Sequence, residues 1–209
     1  MIPLYIPYFN RPDRLEAALA SIRGCAAEVY VIDNSMGLSG RSDSIVLQPP
    51  FSLMFGQAQN WMLTMALRAG HPFWISMHDD AEASPDMVNM LIHRANEFTW
   101  DGKKWGILFT NYDSMAAHST EAYSKIGGWD KFMPWYVGDM DVWYRLRLAG
   151  YETMETGIPV VHHGSESIKN DERTRYVNDV VTPLFREYYR QKWGGDPGSE
   201  VFPVPFNLP

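Results

Sequence analysis

Cysteine is almost absent from this chain. A single one, Cys25, stands among 209 residues. It has no partner for an internal disulfide, which agrees with a reducing compartment. Long apolar runs are missing too, and none approaches the roughly 20 residues that a membrane-spanning helix needs. The opening MIPLYIPYFNRPD has neither a basic n-region nor a small-residue cleavage site. No signal peptide is expected, and a cytoplasmic location is, with peripheral contact at a membrane surface as a variant. Positive charge is in deficit: 18 Lys and Arg face 25 Asp and Glu, for a net charge of −7. That excludes a protein whose affinity rests on coating nucleic acid with cations, although a local patch of Lys169, Arg173 and Arg175 is compatible with phosphate contacts. Lys103-Lys104 reads as a solvated turn. There is no repeat and no low-complexity segment.

What is present is ordinary globular material, 45% hydrophobic and 21% charged, long enough for one domain with a sizeable core. Ile2 to Pro7 reads as a strand. Pro12 and Asp13 start a helix whose apolar positions are Leu15, Ala18, Leu19 and Ile22, and Gly24 ends it. Glu28 to Ile32 and Ser44 to Leu47 read as strands, and Gly56 to Ala69 as a helix capped by Gly70. Phe73 to Met77 is a strand, Met87 to Phe98 a helix and Trp105 to Thr110 a strand. Ala122 to Ile126 and Asp139 to Ala149 read as helices. Val160-Val161 reads as a strand stopping at His162-His163, and Val177 to Trp193 as a last helix before a Pro-rich tail. Strands alternating with helices predict a doubly wound, mostly parallel α/β sheet. The expected organisation is a single domain over residues 1–168 with a C-terminal helix and tail over 169–209, the tail being either a flexible end or an oligomer arm.

The segment FWISMHDDAEASPD carries the strongest chemical signal. An apolar run ends abruptly in His78-Asp79-Asp80. In open α/β sheets ligands bind at the C-terminal ends of strands. Two adjacent carboxylates there suit a hard divalent cation held through oxygen. Two further strands end in polar clusters, Asp33-Asn34-Ser35 and His162-His163, and the three together predict one shared site. A fourth cluster, Gly138-Asp139-Met140-Asp141, opens a helix. Asp141 and Arg145 lie four apart and can pair. Asp139 is either a helix cap or a general base, and spacing alone leaves both open. Trp129, Phe132, Trp135, Tyr136 and Trp143 flank it. Any one of them is more simply core, as are Met54, Met62, Met65, Met77, Met87 and Met90.

The order of these motifs resembles the nucleotide-sugar-dependent glycosyltransferases of the GT-A fold, most closely the inverting family 2 type. The resemblance covers about residues 2–168. IPYFNRPDRLEAALASI is similar to the opening strand, loop and helix, VYVIDNS to the second strand ending in Asp, and GQAQNWMLTMAL to the helix that follows. ISMHDDAEASPDMV is similar to the Asp-X-Asp segment, GGWDKFMPWYVGDMDVWYRLRLAGYE to the Gly-Gly-aromatic-Asp and Glu-Asp-X-Asp region, and VVHHGSES to the late His motif. It implies that Pro7, Asn10, Asp33, Gln57, Asn60 and Asp79 bind the nucleoside diphosphate sugar. It implies that Asp80 with His162 or His163 holds Mn²⁺ or Mg²⁺, the imidazole favouring Mn²⁺. Successive strand residues face opposite sides, so one of the two histidines points at the metal. Asp139 matches the base that deprotonates the acceptor hydroxyl, and Asp141 and Arg145 shape the acceptor side. Two positions depart from the pattern: His78 stands where the first Asp is usual, and Gly138 where Glu precedes the base. The acceptor remains a glycan, a lipid-linked glycan, a protein, a small metabolite or a modified DNA base. Two other classes compete. One is a degenerate nucleotide- or glycan-binding module without turnover. The other is a metal-dependent phosphohydrolase or nucleotidyltransferase, against which stands the absence of Gly from Tyr8-Phe9-Asn10-Arg11-Pro12.

Overall fold

The fourth strand, β4 (Phe73–Met77), lies at the centre of the sheet and is buried at all five residues. Phe73, Ile75 and Met77 enter one apolar layer and Trp74 the other. A strand covered on both faces has no polar side to show, which is why FWISM is continuously apolar. The computed structural model describes residues 1–164 and 172–208, with residues 173 and 174 described by their backbone alone.

The other members of the sheet are β1 (Ile2–Tyr8), β2 (Ala27–Asp33), β3 (Ile45–Leu47), β6 (Trp105–Phe109), β7 (Met115–Ser119) and β8 (Glu152–Glu155). The seven strands run in the order β3-β2-β1-β4-β7-β6-β8. All pairings are parallel except those of β7, which is antiparallel to both β4 and β6. Helices α1 (Pro12–Ser21) and α3 (Pro85–Trp100) cover one face. Helices α2 (Phe55–Ala69), α4 (Thr120–Ile126) and α5 (Gly138–Leu148) cover the other. This is the mostly parallel α/β architecture that the sequence predicts.

Strand β1 carries Pro3 and Pro7 although it sits inside the sheet. Proline has no N–H for a ladder. The pairing of β1 with β4 is confined to Leu4–Ile75 and Tyr5–Ser76, between the two prolines. Beyond Pro7 the two strands are free to part, and a cleft opens at their C-terminal ends.

Several boundaries and one assignment need correction. The His-bearing strand is not part of the main sheet: β9 (Val161–His162) pairs antiparallel with β5 (Ala81–Glu82) in a separate ribbon. Strands β7 and β8 were not expected. The last helix, α6 (Glu172–Trp193), begins earlier than Val177. It is docked through Tyr189 and Trp193 against Met133 and Val137. No helix among the described residues is long and apolar enough to cross a membrane.

Candidate functional site

A cleft of about 590 Å³ opens where β1, β2 and β4 end, the edge at which a parallel sheet presents its loops to a ligand. His78, Asp79 and Asp80 follow β4 directly. The Phe9 backbone N–H donates to Asp79 Oδ2 at 3.2 Å, tying the loop after β1 to the loop after β4. The β5–β9 ribbon then folds His162 back over this point, with Ala81 opposite His162.

Three donor atoms converge there. His78 Nδ1 lies 3.3 Å from His162 Nε2, His162 Nε2 lies 3.3 Å from Asp80 Oδ1, and His78 Nδ1 lies 3.9 Å from the same Oδ1. A triangle with those sides has its centre about 2.0 Å from each corner, the length of a metal–imidazole or metal–carboxylate bond. The His78 Nε2 is buried without a hydrogen-bond partner. Burial, and then the neighbouring His162, push the His78 pKa down to about 4, so at neutral pH its imidazole is uncharged with a ring lone pair to offer. The donor set fits a divalent transition ion. Its two imidazoles favour Mn²⁺, Co²⁺ or Zn²⁺ over Mg²⁺, which prefers oxygen. The neighbouring Asp79 is pushed up to about 7, chiefly by burial, with the Phe9 N–H opposing and the Asp80 charge adding to it.

His163 points the other way. Its Nε2 meets Glu82 Oε1 at 2.9 Å, so the alternation along β9 separates the two histidines, with His162 on the cleft side.

Asp139 lies in the first turn of α5 and lines the same cleft. Burial raises its pKa, opposed by the backbone N–H groups of Met140 and Asp139 itself. Helix α5 is entered through Val137 in the left-handed region at φ 72°, a conformation that a β-branched residue rarely adopts. Gly138 explains one departure from the family pattern. A Cβ there would run into the Met133 carbonyl oxygen and crowd the Trp129 ring, so no Glu fits. Trp129 is itself clamped. Its N–H donates to Asn60 Oδ1 at 2.8 Å and its carbonyl accepts from Asn60 Nδ2 at 3.0 Å. Gly128 is required because a Cβ would collide with that amide.

Several expected site residues make contacts within the scaffold and do not line the cleft. Asn60 is the clamp just described. Gln57 accepts from the Met54 N–H at the start of α2. Asp33 accepts from Ser35 N–H and Oγ, Met36 N–H and Leu38 N–H. Burial raises its pKa, but these donors outweigh it and hold the carboxylate below its ordinary range. Asn10 is exposed with φ 52° and does not line the cleft, whereas Pro7 does. Asp141 is fully buried and turned away from the cleft. It accepts from Arg145 Nε at 2.7 Å, Lys192 Nζ at 2.7 Å and Trp193 Nε1 at 2.8 Å. Arg145 also donates to the Ile126 carbonyl at 2.7 Å. The structure therefore brings Pro7, Asp79, Asp80, His162 and Asp139 together with His78, and leaves Asn10, Asp33, Gln57, Asn60, Asp141, Arg145 and His163 outside. Lys169 lies outside the described residues, as does the Arg173 side chain. Among the lining residues that the sequence reading missed are Phe9, Phe55, Tyr112 and Asp113. Asn34, a member of the expected Asp33-Asn34-Ser35 cluster, does line the cleft.

The fold is GT-A-like. Among solved structures of that shape is glucosyl-3-phosphoglycerate synthase from Mycobacterium tuberculosis, in complex with Mn²⁺ and UDP-glucose. It has a TM-score of 0.55 and 12% identity, over 87% of this chain and 78% of that one. Residues 1–349 of S. aureus TarS give a TM-score of 0.51 at 11% identity, over 70% of this chain. This chain covers 55% of that TarS fragment and 39% of the longer TarS structure. A cytidylyltransferase from Leptospira borgpetersenii gives 0.53 at 9% identity, over 88% and 93%. No family model and no curated protein matches the sequence.

Proposed function

We propose that this chain is a metal-dependent glycosyltransferase. It moves a sugar from a nucleoside diphosphate sugar to an acceptor hydroxyl with inversion, and Asp139 is its general base. The observation that carries the reading is the sharing of one cleft by the His78–Asp80–His162 donor triangle and the half-buried Asp139 carboxylate. When bound, a divalent ion on His78, Asp80 and His162 supplies Lewis-acid neutralisation of the diphosphate leaving group.

The chain's own residues do the rest. Pro7, Phe9 and Asn34 line the part of the cleft at the ends of β1 and β2, where a nucleotide finds apolar walls. Phe55 sets its ring edge-on to both His78 and Trp129, at centroid distances of 5.4 and 5.3 Å, and lines the cleft beside them. Asp139 accepts the proton of the acceptor hydroxyl as that oxygen bonds to the anomeric carbon. The bond from the anomeric carbon to the diphosphate oxygen breaks with its electron pair. A carboxylate raised towards neutrality by burial is better matched to this task than an exposed one.

The test is product analysis with UDP-, GDP- and dTDP-sugars in the presence of Mn²⁺. A new glycoside of inverted anomeric configuration supports the reading. Free phosphate or a nucleotide-linked product instead defines a hydrolase or a nucleotidyltransferase. The latter enters the comparison because a cytidylyltransferase shares the fold over most of both chains. Against it stands the loop after β1, Phe9-Asn10-Arg11, which has no glycine to let backbone N–H groups cradle a triphosphate.

A further inference from the structure

Strands β6 and β7 are joined by a tight turn over Thr110–Ser114, at the same sheet edge as the cleft. Its two tip residues both have left-handed backbones: Tyr112 at φ 51° and Asp113 at φ 55°. Left-handed backbone is normally supplied by Gly, Asn or Asp, because larger side chains collide with the backbone there. Here the residue that resists the conformation most is a tyrosine. The turn is locked from several directions. Asp113 N–H donates to the Thr110 carbonyl at 2.6 Å, and Thr110 Oγ1 to the Met115 carbonyl at 2.9 Å. His78 N–H donates to the Ser114 carbonyl at 2.9 Å, which couples the turn to the donor triangle. None of these bonds uses the Tyr112 or Asp113 side chain. Neither side chain hydrogen-bonds a described residue, yet both line the cleft, and Tyr112 is 82% exposed. A disfavoured backbone held in place around two unused side chains marks a site where they serve something other than the fold.

We propose that the Tyr112–Asp113 turn is the acceptor-recognition element of this cleft: Tyr112 lies against the apolar face of the acceptor ring, Asp113 hydrogen-bonds a second hydroxyl, and the turn selects uncharged polyhydroxyl acceptors over phosphorylated ones. The inference rests on the glycosyltransferase reading and adds the acceptor class to it. Charge supports the selectivity. The lining residues include the acids Asp79, Asp80, Asp113 and Asp139, and among those described there is no Lys or Arg. Burial first, and the Asp139 charge second, hold the Asp113 carboxyl well above the usual carboxylate range. This corner already resists a second negative charge beside Asp139, and a phosphate would bring that charge back, weakly screened away from bulk water. A neutral polyol brings hydroxyls that donate to Asp139 and accept from a protonated Asp113. Trp135 and Tyr136 line the same cleft and offer further aromatic surface to a sugar ring.

The test uses the full chain with MnCl₂ and UDP-, GDP- and dTDP-glucose. Nucleoside diphosphate release to water is measured without acceptor. Glycoside formation is then measured with methyl glycosides, and with the corresponding sugar 6-phosphates and 3-phosphoglycerate. At least a tenfold preference in kcat/KM for the neutral acceptors is expected. Asp113→Asn suits the left-handed position and folds. It should lower the ratio of transfer to hydrolysis by roughly tenfold or more, mainly through acceptor KM. Tyr112→Gly should lower the same ratio while raising the melting temperature, because the strain is relieved. A merely structural tyrosine would not divide the two readouts this way. Equal or better use of the phosphorylated acceptors overturns the proposal. So does a ratio within twofold of wild type in both variants, or hydrolysis without transfer to any neutral glycoside; in all three cases the glycosyltransferase reading survives if donor turnover is seen. If no donor sugar is hydrolysed or transferred, that reading falls and this one with it.

Discussion

Replacing Asp141 with asparagine should destabilise this protein strongly, whatever it does to the chemistry. Asp141 lies two residues from the proposed base, in a motif where both acids invite a catalytic role. Its surroundings say otherwise. The carboxylate is fully buried and is gripped by Arg145, Lys192 and the Trp193 indole N–H, all within 2.8 Å. Lys192 in turn holds Asp130 at 2.6 Å. Two cations and two carboxylates thus balance in a nearly dry pocket between α5 and α6. An amide in place of the Asp141 carboxylate would leave two cations facing one carboxylate, and would aim its N–H₂ at donors it cannot accept from. Breaking a buried ion pair on one side typically costs about 3–5 kcal/mol. Domains of this kind have roughly 5–15 kcal/mol in total, and at this size each kcal/mol moves the melting temperature by about 2–4 °C. The expected loss is therefore roughly 6–20 °C, read by calorimetry or by near-ultraviolet circular dichroism at matched pH. Asp139→Asn is the control, because it removes a half-buried carboxylate without breaking a pair and should melt within a few degrees of wild type. An Asp141→Asn protein that melts like wild type but has lost turnover would refute the structural assignment and return Asp141 to the reaction.

Further expectations follow from the same geometry. Asp139→Asn should lower kcat by about 10²–10⁴ while keeping donor binding, and the acidic limb of the wild-type kcat/KM profile should sit above the ordinary carboxylate range, activity rising with pH as Asp139 ionises. Mn²⁺ should raise the melting temperature of the wild type by mass action, more than Mg²⁺ does; His78→Ala, Asp80→Ala and His162→Ala should each abolish that shift, and His163→Ala should retain it. His118 is buried against Trp74 between Ser76 Oγ and the Tyr123 hydroxyl, each at 2.8 Å, and burial pushes its pKa down from 6.5 to about 3. Its contribution is complete above pH 6.5 and is lost as the pH falls towards 3, by on the order of 4–5 kcal/mol; chemical denaturation at several pH values should show a flatter acid limb in His118→Gln, and an unchanged limb would remove His118 from the account.

The parts of this protein that were legible in its sequence are those where burial is two-sided or periodic. FWISM reads as a strand to the residue because both of its faces are covered. Helix α2 reads to within a residue because Ala58, Met62 and Ala66 recur on one side and Gly70 adopts the left-handed cap. Strand β7 was invisible because MAAHS is buried by small residues that suit the space between β4 and β6, not by the β-branched ones that mark a strand. Strand β8, ETME, lies at the sheet edge and shows charge to solvent. The site was half legible for a different reason. Chemistry-bearing residue types stand out in a sequence, but the direction of a side chain does not. Asp33 and Asn34, His162 and His163, and Asp139 and Asp141 are three pairs in which one member faces the cleft and the other faces the scaffold. In the first two, strand alternation decides between neighbours. In the third, two residues along a helix turn the side chain by about 200°, so the acids of α5 were bound to point nearly opposite ways.

That last geometry binds the C-terminal segment to the proposed chemistry. Helix α5 presents Asp139 to the cleft on one side. On the other it is fastened through Asp141 to Lys192 and Trp193 of α6. The strained entry at Val137 is packed in the same apolar cluster as Tyr189 and Trp193. A left-handed valine does not persist on local preference, since an ordinary backbone lies nearby in energy and a β-branched side chain favours it. Something outside α5 must hold it, and the described structure offers α6. Helix α6 is in this respect part of the device that aims the proposed base, and loosening it should cost turnover and stability together, whereas a detached helix would affect neither.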